Sequence, residues 1–166
     1  MQEKMADMFD KKTRSLIMQA VRTAQTEPEE RLAVALNAIG LAFRRNDAKT
    51  YGKPDFSFAA ARLAVFVDGD FWHGRAWFEN GAAPATNAEF WISKFERNRR
   101  RDRLVDRELR GTGWSVLRLW ASDVRRAPAA SAARVRARLR RLARLGRPYP
   151  GMTVSQSRRR GRPSGA

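Results

Sequence analysis

The sequence predicts an α/β fold: a mixed sheet flanked by helices, in a single domain with a basic C-terminal tail. Three observations predict it. Periodic segments run in the order helix, three strands, helix, strand, helix, which packs most simply as one sheet covered by helices. The chain of 166 residues suits one domain with a real core. From Val124 to Ala166 there are 13 Arg, no Lys and no acidic residue, so much of the net charge of +17 sits at one end.

Residues 1–25 are polar and mixed, and read as an arm with a short helix around 15–21. Thr26-Glu27-Pro28-Glu29 has the form of a capping box with Pro in the first turn. The helix that follows sets Leu32, Leu36 and Ile39 on its apolar face and stops at Gly40. Residues 41–45 read as a short strand and 46–54 as a loop. Residues 55–58 and 63–67 are two apolar strands joined by a tight Ala-rich turn, a hairpin. Residues 74–88 look irregular. Residues 89–110 form a long charged helix ended by Gly111 and Gly113, and residues 114–120 alternate as a strand. Residues 129–145 form an Arg-rich helix with Val135, Leu139 and Leu142 on one face. From Gly146 onward Pro, Gly, Ser and Arg dominate, and disorder is expected. The divisions expected are an arm at 1–25, a core at 26–145 and a tail at 146–166.

Composition narrows the function. With no cysteine there is neither a disulfide nor a thiolate zinc site. No apolar run approaches the ~20 residues of a membrane span, and no signal-peptide core opens the chain, so a cytoplasmic protein with no membrane partner is expected. The excess of Arg points to a polyanion. The absence of a sustained apolar heptad favours a monomer.

Chemistry concentrates between Gly52 and Gly74. Asp55 stands at the mouth of one strand and Asp68 at the end of the next. His73, the only histidine, follows five residues later, behind the adjacent aromatics Phe71 and Trp72. Carboxylates converging from neighbouring strands on a basic chain suit a metal-dependent site for phosphodiesters.

The element order with Pro54-Asp55 resembles the core of the PD-(D/E)XK nucleases, a restriction-endonuclease-like fold. Phe66 and Asp68 stand at the alternate positions where that superfamily carries an acid and a lysine. Gly-x-Phe-Trp-His after them resembles the very short patch repair (Vsr) endonucleases. The resemblance extends to Met5-Ala6-Asp7, Asp10-Lys11, Thr13-Arg14-Ser15, Met18, Glu29, Arg31-Leu32, Glu89-Phe90-Trp91, Lys94, Asn98, Arg101-Asp102, Gly113-Trp114, Val116-Leu117 and Trp120.

The resemblance implies an endonuclease that nicks duplex DNA 5′ of the T in a T:G mismatch, in repair of deaminated 5-methylcytosine. It implies Mg²⁺ held by the Asp55 carboxylate and the Val67 main-chain carbonyl, and a catalytic His73 oriented by Asp102. It places Glu29 near the metal waters. Phe71, Trp72 and Met18 would enter the base stack, and Lys94 and Asn98, one helical turn apart, would contact DNA. Asp68 departs from the His common in similar enzymes; it either binds metal, directly or through water, or is a solvated turn residue.

Plainer readings stand beside these. Asp55 suits a turn after Pro54. Asp102 suits an intrahelical pair with Arg99 or Arg103. Glu29 suits the capping box, Phe71 and Trp72 a core, and Lys94 and Asn98 a solvated helix face. The structural zinc often held around the Phe-Trp-His segment cannot form in its usual way, since Asp70, Gly74, Arg75 and Trp77 occupy the nearby positions. No zinc is expected, and Trp77 with Phe78 is expected to supply an apolar cluster instead. A nuclease of the same superfamily with another DNA specificity, or a non-catalytic DNA-binding module, remain alternatives.

Overall fold

A computed structural model describes residues 26–147. The expected arm at 1–25, with Met18, and the tail beyond Arg147 lie outside the described residues. Element order is α1 (Glu27–Ala38), β1 (Arg44–Arg45), β2 (Phe56–Phe58), β3 (Leu63–Asp68), α2 (Arg75–Asn80), α3 (Ala88–Gly111), β4 (Ser115–Trp120), α4 (Ala121–Arg126) and α5 (Pro128–Arg144). The four strands lie in that order in one mixed sheet. β2 is antiparallel to β1 and β3, and β4 is parallel to β3. The parallel pair needs a long crossover, and α3 supplies it.

Strand alternation sorts the side chains onto two faces. Leu63 and Val65 of β3 and Leu117 and Leu119 of β4 join the larger core, with Leu32 and Leu36 of α1, Val124 of α4 and Val135, Leu139 and Leu142 of α5. Ala64 and Phe66 of β3 and Val116 of β4 face the other way, against Val105 and Leu109 of α3. By the same alternation Asp68 and Arg118 stand on the α3 face. Both faces of β3 are covered, which explains its nearly unbroken apolar run.

Several local expectations need correction. The strand expected at 41–45 is only Arg44–Arg45, because β2 offers β1 just two partners, Phe56 and Ser57, while Leu41 turns into the core. Thr26 is the N-cap of α1, but its hydroxyl accepts no backbone N–H as a capping box requires; it donates instead to the Glu29 carboxylate at 2.7 Å. The stretch after Gly74 is not wholly irregular. It contains α2, bounded by Gly74 and Gly81, both left-handed. A short helix, α4, follows β4 directly where none was expected.

Candidate active site

The adjoining C-terminal ends of β3 and β4 carry the expected site. Asp55 lies just before β2. Its Oδ2 accepts the Val67 backbone N–H at 2.7 Å. A strand residue directs its N–H and C=O to the same neighbour. The Val67 carbonyl therefore faces the edge on which Asp55 stands. Burial pushes the Asp55 carboxyl up to about 7; the Val67 hydrogen bond opposes the rise, and the nearby charges of Glu29 and Asp68 add to it. Glu29 itself is buried on α1, holding the Thr26 hydroxyl.

On the α3 face a second group of charges meets. His73 Nδ1 lies 2.7 Å from Asp102 Oδ2, and His73 Nε2 lies 3.9 Å from Asp68 Oδ1. An ionised carboxylate only accepts, so Nδ1 carries the proton shared with Asp102 and Nε2 faces Asp68. Burial alone would lower the pKa of His73, but the Asp102 hydrogen bond and the charges of Asp68 and Asp102 outweigh it and raise it above 6.5. Burial would raise Asp102, yet its bond to His73 and the charge of Arg118 hold it below the usual range.

Arg118 organises this group. Its Nη1 donates to both oxygens of Asp68, at 2.9 and 3.1 Å, and its Nε donates to Asp106 at 3.0 Å. Asp102 Oδ1 is 3.4 Å from the same guanidinium, which also lies 4.6 Å over the Phe66 ring. Asp68 remains raised because burial outweighs the attraction of Arg118 and His73. Asp68 is thus neither a solvated turn residue nor free of partners. Asp102 pairs across to β4 and the His73 loop, and not with Arg99 or Arg103 along its helix. Sequence reading missed Arg118 and Asp106. The signal was present: one Arg in the apolar strand Ser115–Trp120, and two Asp at i, i+4 on the helix that covers it.

Phe71 and Trp72 leave the β3 end and lie against α3. Phe71 is 49% exposed, so it is not a core residue. Its ring sits 4.7 Å from Trp91 and 5.7 Å from Phe95, and Trp72 sits 5.9 Å from Trp91. Asn98 donates to the Trp72 carbonyl at 2.7 Å, and the Lys94 ammonium lies 5.2 Å over the Trp72 ring. Lys94 and Asn98 therefore share a helix face, as expected, and both hold the aromatic loop.

The segment around Phe-Trp-His is fastened by an ionic network beside the aromatic contacts of Phe71 and Trp72, and not by a joint Trp77–Phe78 cluster. Arg75 Nη1 lies 3.1 Å from Asp70, 2.8 Å from the Ser122 hydroxyl and 3.2 Å from Asp123, and its Nε lies 3.1 Å from Glu79. Asp70 also accepts the Ser122 backbone N–H at 2.8 Å, tying the loop to α4. Trp77 and Phe78 face different neighbours: Trp77 lines a small cavity with Pro84 and Phe95, whereas Phe78 lies 4.0 Å beneath Arg99. Gly74 closes the loop with φ +64, and a Cβ there would meet the Phe95 ring at 2.7 Å. Gly74→Ala is expected to cost about 1–3 kcal/mol by overpacking and backbone strain. Urea unfolding checks the cost; a change below ~0.5 kcal/mol would show that the loop yields freely.

The residues present fit a hard divalent cation. Asp55 and the Val67 carbonyl offer two oxygen ligands at one edge, and the acids Glu29 and Asp68 bear on Asp55 electrostatically. Among the described residues no three His, Asp or Glu side chains cluster closely enough to cage a metal. Mg²⁺ needs no such cage, because it retains waters and takes phosphate oxygens.

Comparison with known proteins gives the chain a family. The family model described as DNA mismatch endonuclease Vsr matches residues 6–79. The type II nicking enzyme V.NmeDIP of Neisseria meningitidis serogroup C is 45% identical over 134 residues, covering 81% of this chain and 90% of that one. The DNA mismatch endonuclease Vsr of Escherichia coli (strain K12) is 43% identical over 121 residues, 73% of this chain and 77% of that one. The type II nicking enzyme V.HpaIIP of Haemophilus parainfluenzae is 44% identical over 103 residues, 62% of this chain and 73% of that one. With relatives of this identity matched over more than two thirds of their own length, the chain belongs to the Vsr family of DNA endonucleases.

Proposed function

We propose that this protein is a Mg²⁺-dependent endonuclease that nicks duplex DNA 5′ of the T in a T:G mismatch, acting as a cytoplasmic monomer in repair of deaminated 5-methylcytosine. The observation that carries this reading is the Asp55 carboxylate. It is half-buried, raised to about 7 and placed beside the Val67 strand edge, an arrangement that costs stability at neutral pH unless a cation is its partner.

Mg²⁺ bound by Asp55 and the Val67 carbonyl would polarise the scissile phosphate and acidify an attacking water. The chain's own residues do the rest. Asp102 fixes the His73 ring through Nδ1 and leaves Nε2 to position a water or exchange a proton near neutral pH. Arg118 holds Asp68 and Asp102 in place at that ring. Phe71 and Trp72, braced by Trp91, Phe95, Lys94 and Asn98, form a stiff wedge for the base stack. Opening a step costs a few kcal/mol, and least at a mismatch, so a stiff wedge favours mismatched sites. Met18 is the candidate third wedge.

The test is strand cleavage of an end-labelled duplex bearing one T:G pair in a 5-methylcytosine-type context, beside the matched duplex, each with Mg²⁺ and with EDTA. A single nick next to the T that needs Mg²⁺ supports the proposal. Equal cutting of matched DNA would assign another specificity, a reading favoured by the Arg75 network that supports the wedge loop here. Binding with no cutting across several metals and sequence contexts would leave a DNA-binding module.

A further inference from the structure

A second concave site lies at the opposite end of β4 from the catalytic group. Its cavity, about 370 Å³, is formed where the end of α3, the start of β4 and the end of α5 meet. Arg110, Arg138, Arg141 and Arg147 line it around the half-buried Trp114, and no Asp or Glu is among its lining residues. β4 runs six residues from Ser115 to Trp120. At ~3.3 Å per residue the two ends are about 17 Å apart, so this cavity is no part of the cleavage site.

The plain account of these arginines is that they complement the C-terminal dipole of α5. That account covers Arg141 in the last turn, but not the convergence of cations from α3, α5 and the segment after α5. Their charge is mostly uncompensated. Arg110 reaches Asp106 at 3.3 Å, and Arg147 donates to the Gly113 carbonyl at 2.8 Å. Among the described residues, Arg138, Arg141 and Arg147 have no carboxylate within ion-pair distance. Residues 148–166 add four Arg and no Asp or Glu to the sequence.

We propose that this cavity is a second, sequence-independent binding site for the phosphodiester backbone of double-stranded DNA. Guanidinium forks match phosphate oxygens in pairs and stay charged at any relevant pH. A basic recess with no acceptor side chains of the Asn, Gln, Asp or Glu kind offers the phosphates charge and the base edges little to read. The distance between the two ends of β4 equals the length of about five base pairs at ~3.4 Å each, within the span of a short duplex. The site adds affinity and leaves the cleavage chemistry to the other end. It does not rest on the T:G reading.

The experiment is equilibrium binding of the full chain to a fluorescent matched 30-bp duplex in EDTA, across a salt series, with Arg138→Gln/Arg141→Gln. A second double variant, Arg134→Gln/Arg140→Gln, removes the same charge from the same helix outside the cavity. The lining pair is expected to lower the slope of log affinity against log salt by about 2, roughly 1 for each lost phosphate contact. The control pair should leave it nearly unchanged. Equal loss in both variants, or in neither, overturns a local site. Loss of binding to a polyglutamate probe with duplex binding intact would overturn it in favour of an acidic protein partner.

Discussion

Asp55→Asn is expected to abolish nicking and at the same time stabilise the metal-free protein. The loss should be at least ~10³-fold in kcat, since the metal's several kcal/mol of charge stabilisation goes with its carboxylate. The gain follows from linkage. Asp55 has a folded pKa raised from 3.8 to about 7. Between those values the folded state holds a proton that the unfolded state has released, so stability falls as pH rises through that window. The contribution is fully present below pH ~4 and lost above pH ~7. A shift of about 3 units corresponds to roughly 4 kcal/mol. Asn is neutral at every pH, and its amide oxygen can still accept the Val67 N–H. Urea unfolding of both proteins in EDTA should therefore diverge at pH 8 by a few kcal/mol and converge near pH 4. The same proton must leave before a cation binds, so Mg²⁺ affinity should weaken about tenfold per unit as pH drops below about 7. Equal stability of the two proteins at pH 8 would mean that the folded state ionises Asp55 at no cost, so that its carboxyl is not raised, and the observation offered for a metal edge would fail with it.

Arg118→Met is expected to be the most destabilising single change at the site. The guanidinium is the common partner of Asp68, Asp102 and Asp106. Removing the shared partner of the buried Asp68 and the half-buried Asp102 and Asp106 leaves them partly desolvated and unpaired, which costs about 3 kcal/mol, the low end for a buried pair. Asp68 and Asp102 then face each other across His73, and Asp106 keeps only its pair with Arg110. The loss should be largest where all three are ionised. It should shrink as pH falls and Asp68, the one held above its usual range, takes up a proton. Unfolding at pH 7.5 and pH 5 reads both effects. Nicking should fall as well, through the orientation of His73, and Arg118→Lys should recover part of the stability and less of the activity, because one ammonium cannot reach Asp68 and Asp106 with the same fork. A pH-independent loss below 1 kcal/mol would place Arg118 among ordinary solvated arginines.

The sequence by itself determined the order of the strands and the three longer helices, the hairpin that carries Asp55 towards Val67, the long crossover helix and the family. These follow from chain-local rules: apolar period, Gly and Pro punctuation, and motif spacing. Asp55, Asp68, His73 and Asp102 were named from it, and the structure brings Asp68, His73 and Asp102 into one bonded group and Asp55 to the neighbouring strand edge. Local spacing could not show that Thr26 would bond the Glu29 side chain, nor that Gly74 and Gly81 would frame a helix. Only the tertiary structure decided the rest. Arg118 and Asp68 are 50 positions apart, and Arg75 and Asp123 are 48 apart. Each pair meets because β4 is parallel to β3 in a register that sets Phe66 beside Arg118 and Asp68 beside Trp120. Which ionisable groups share a buried space depends on that register, and so do the pKa directions, because charge–charge and desolvation effects act through space and carry no trace in local sequence.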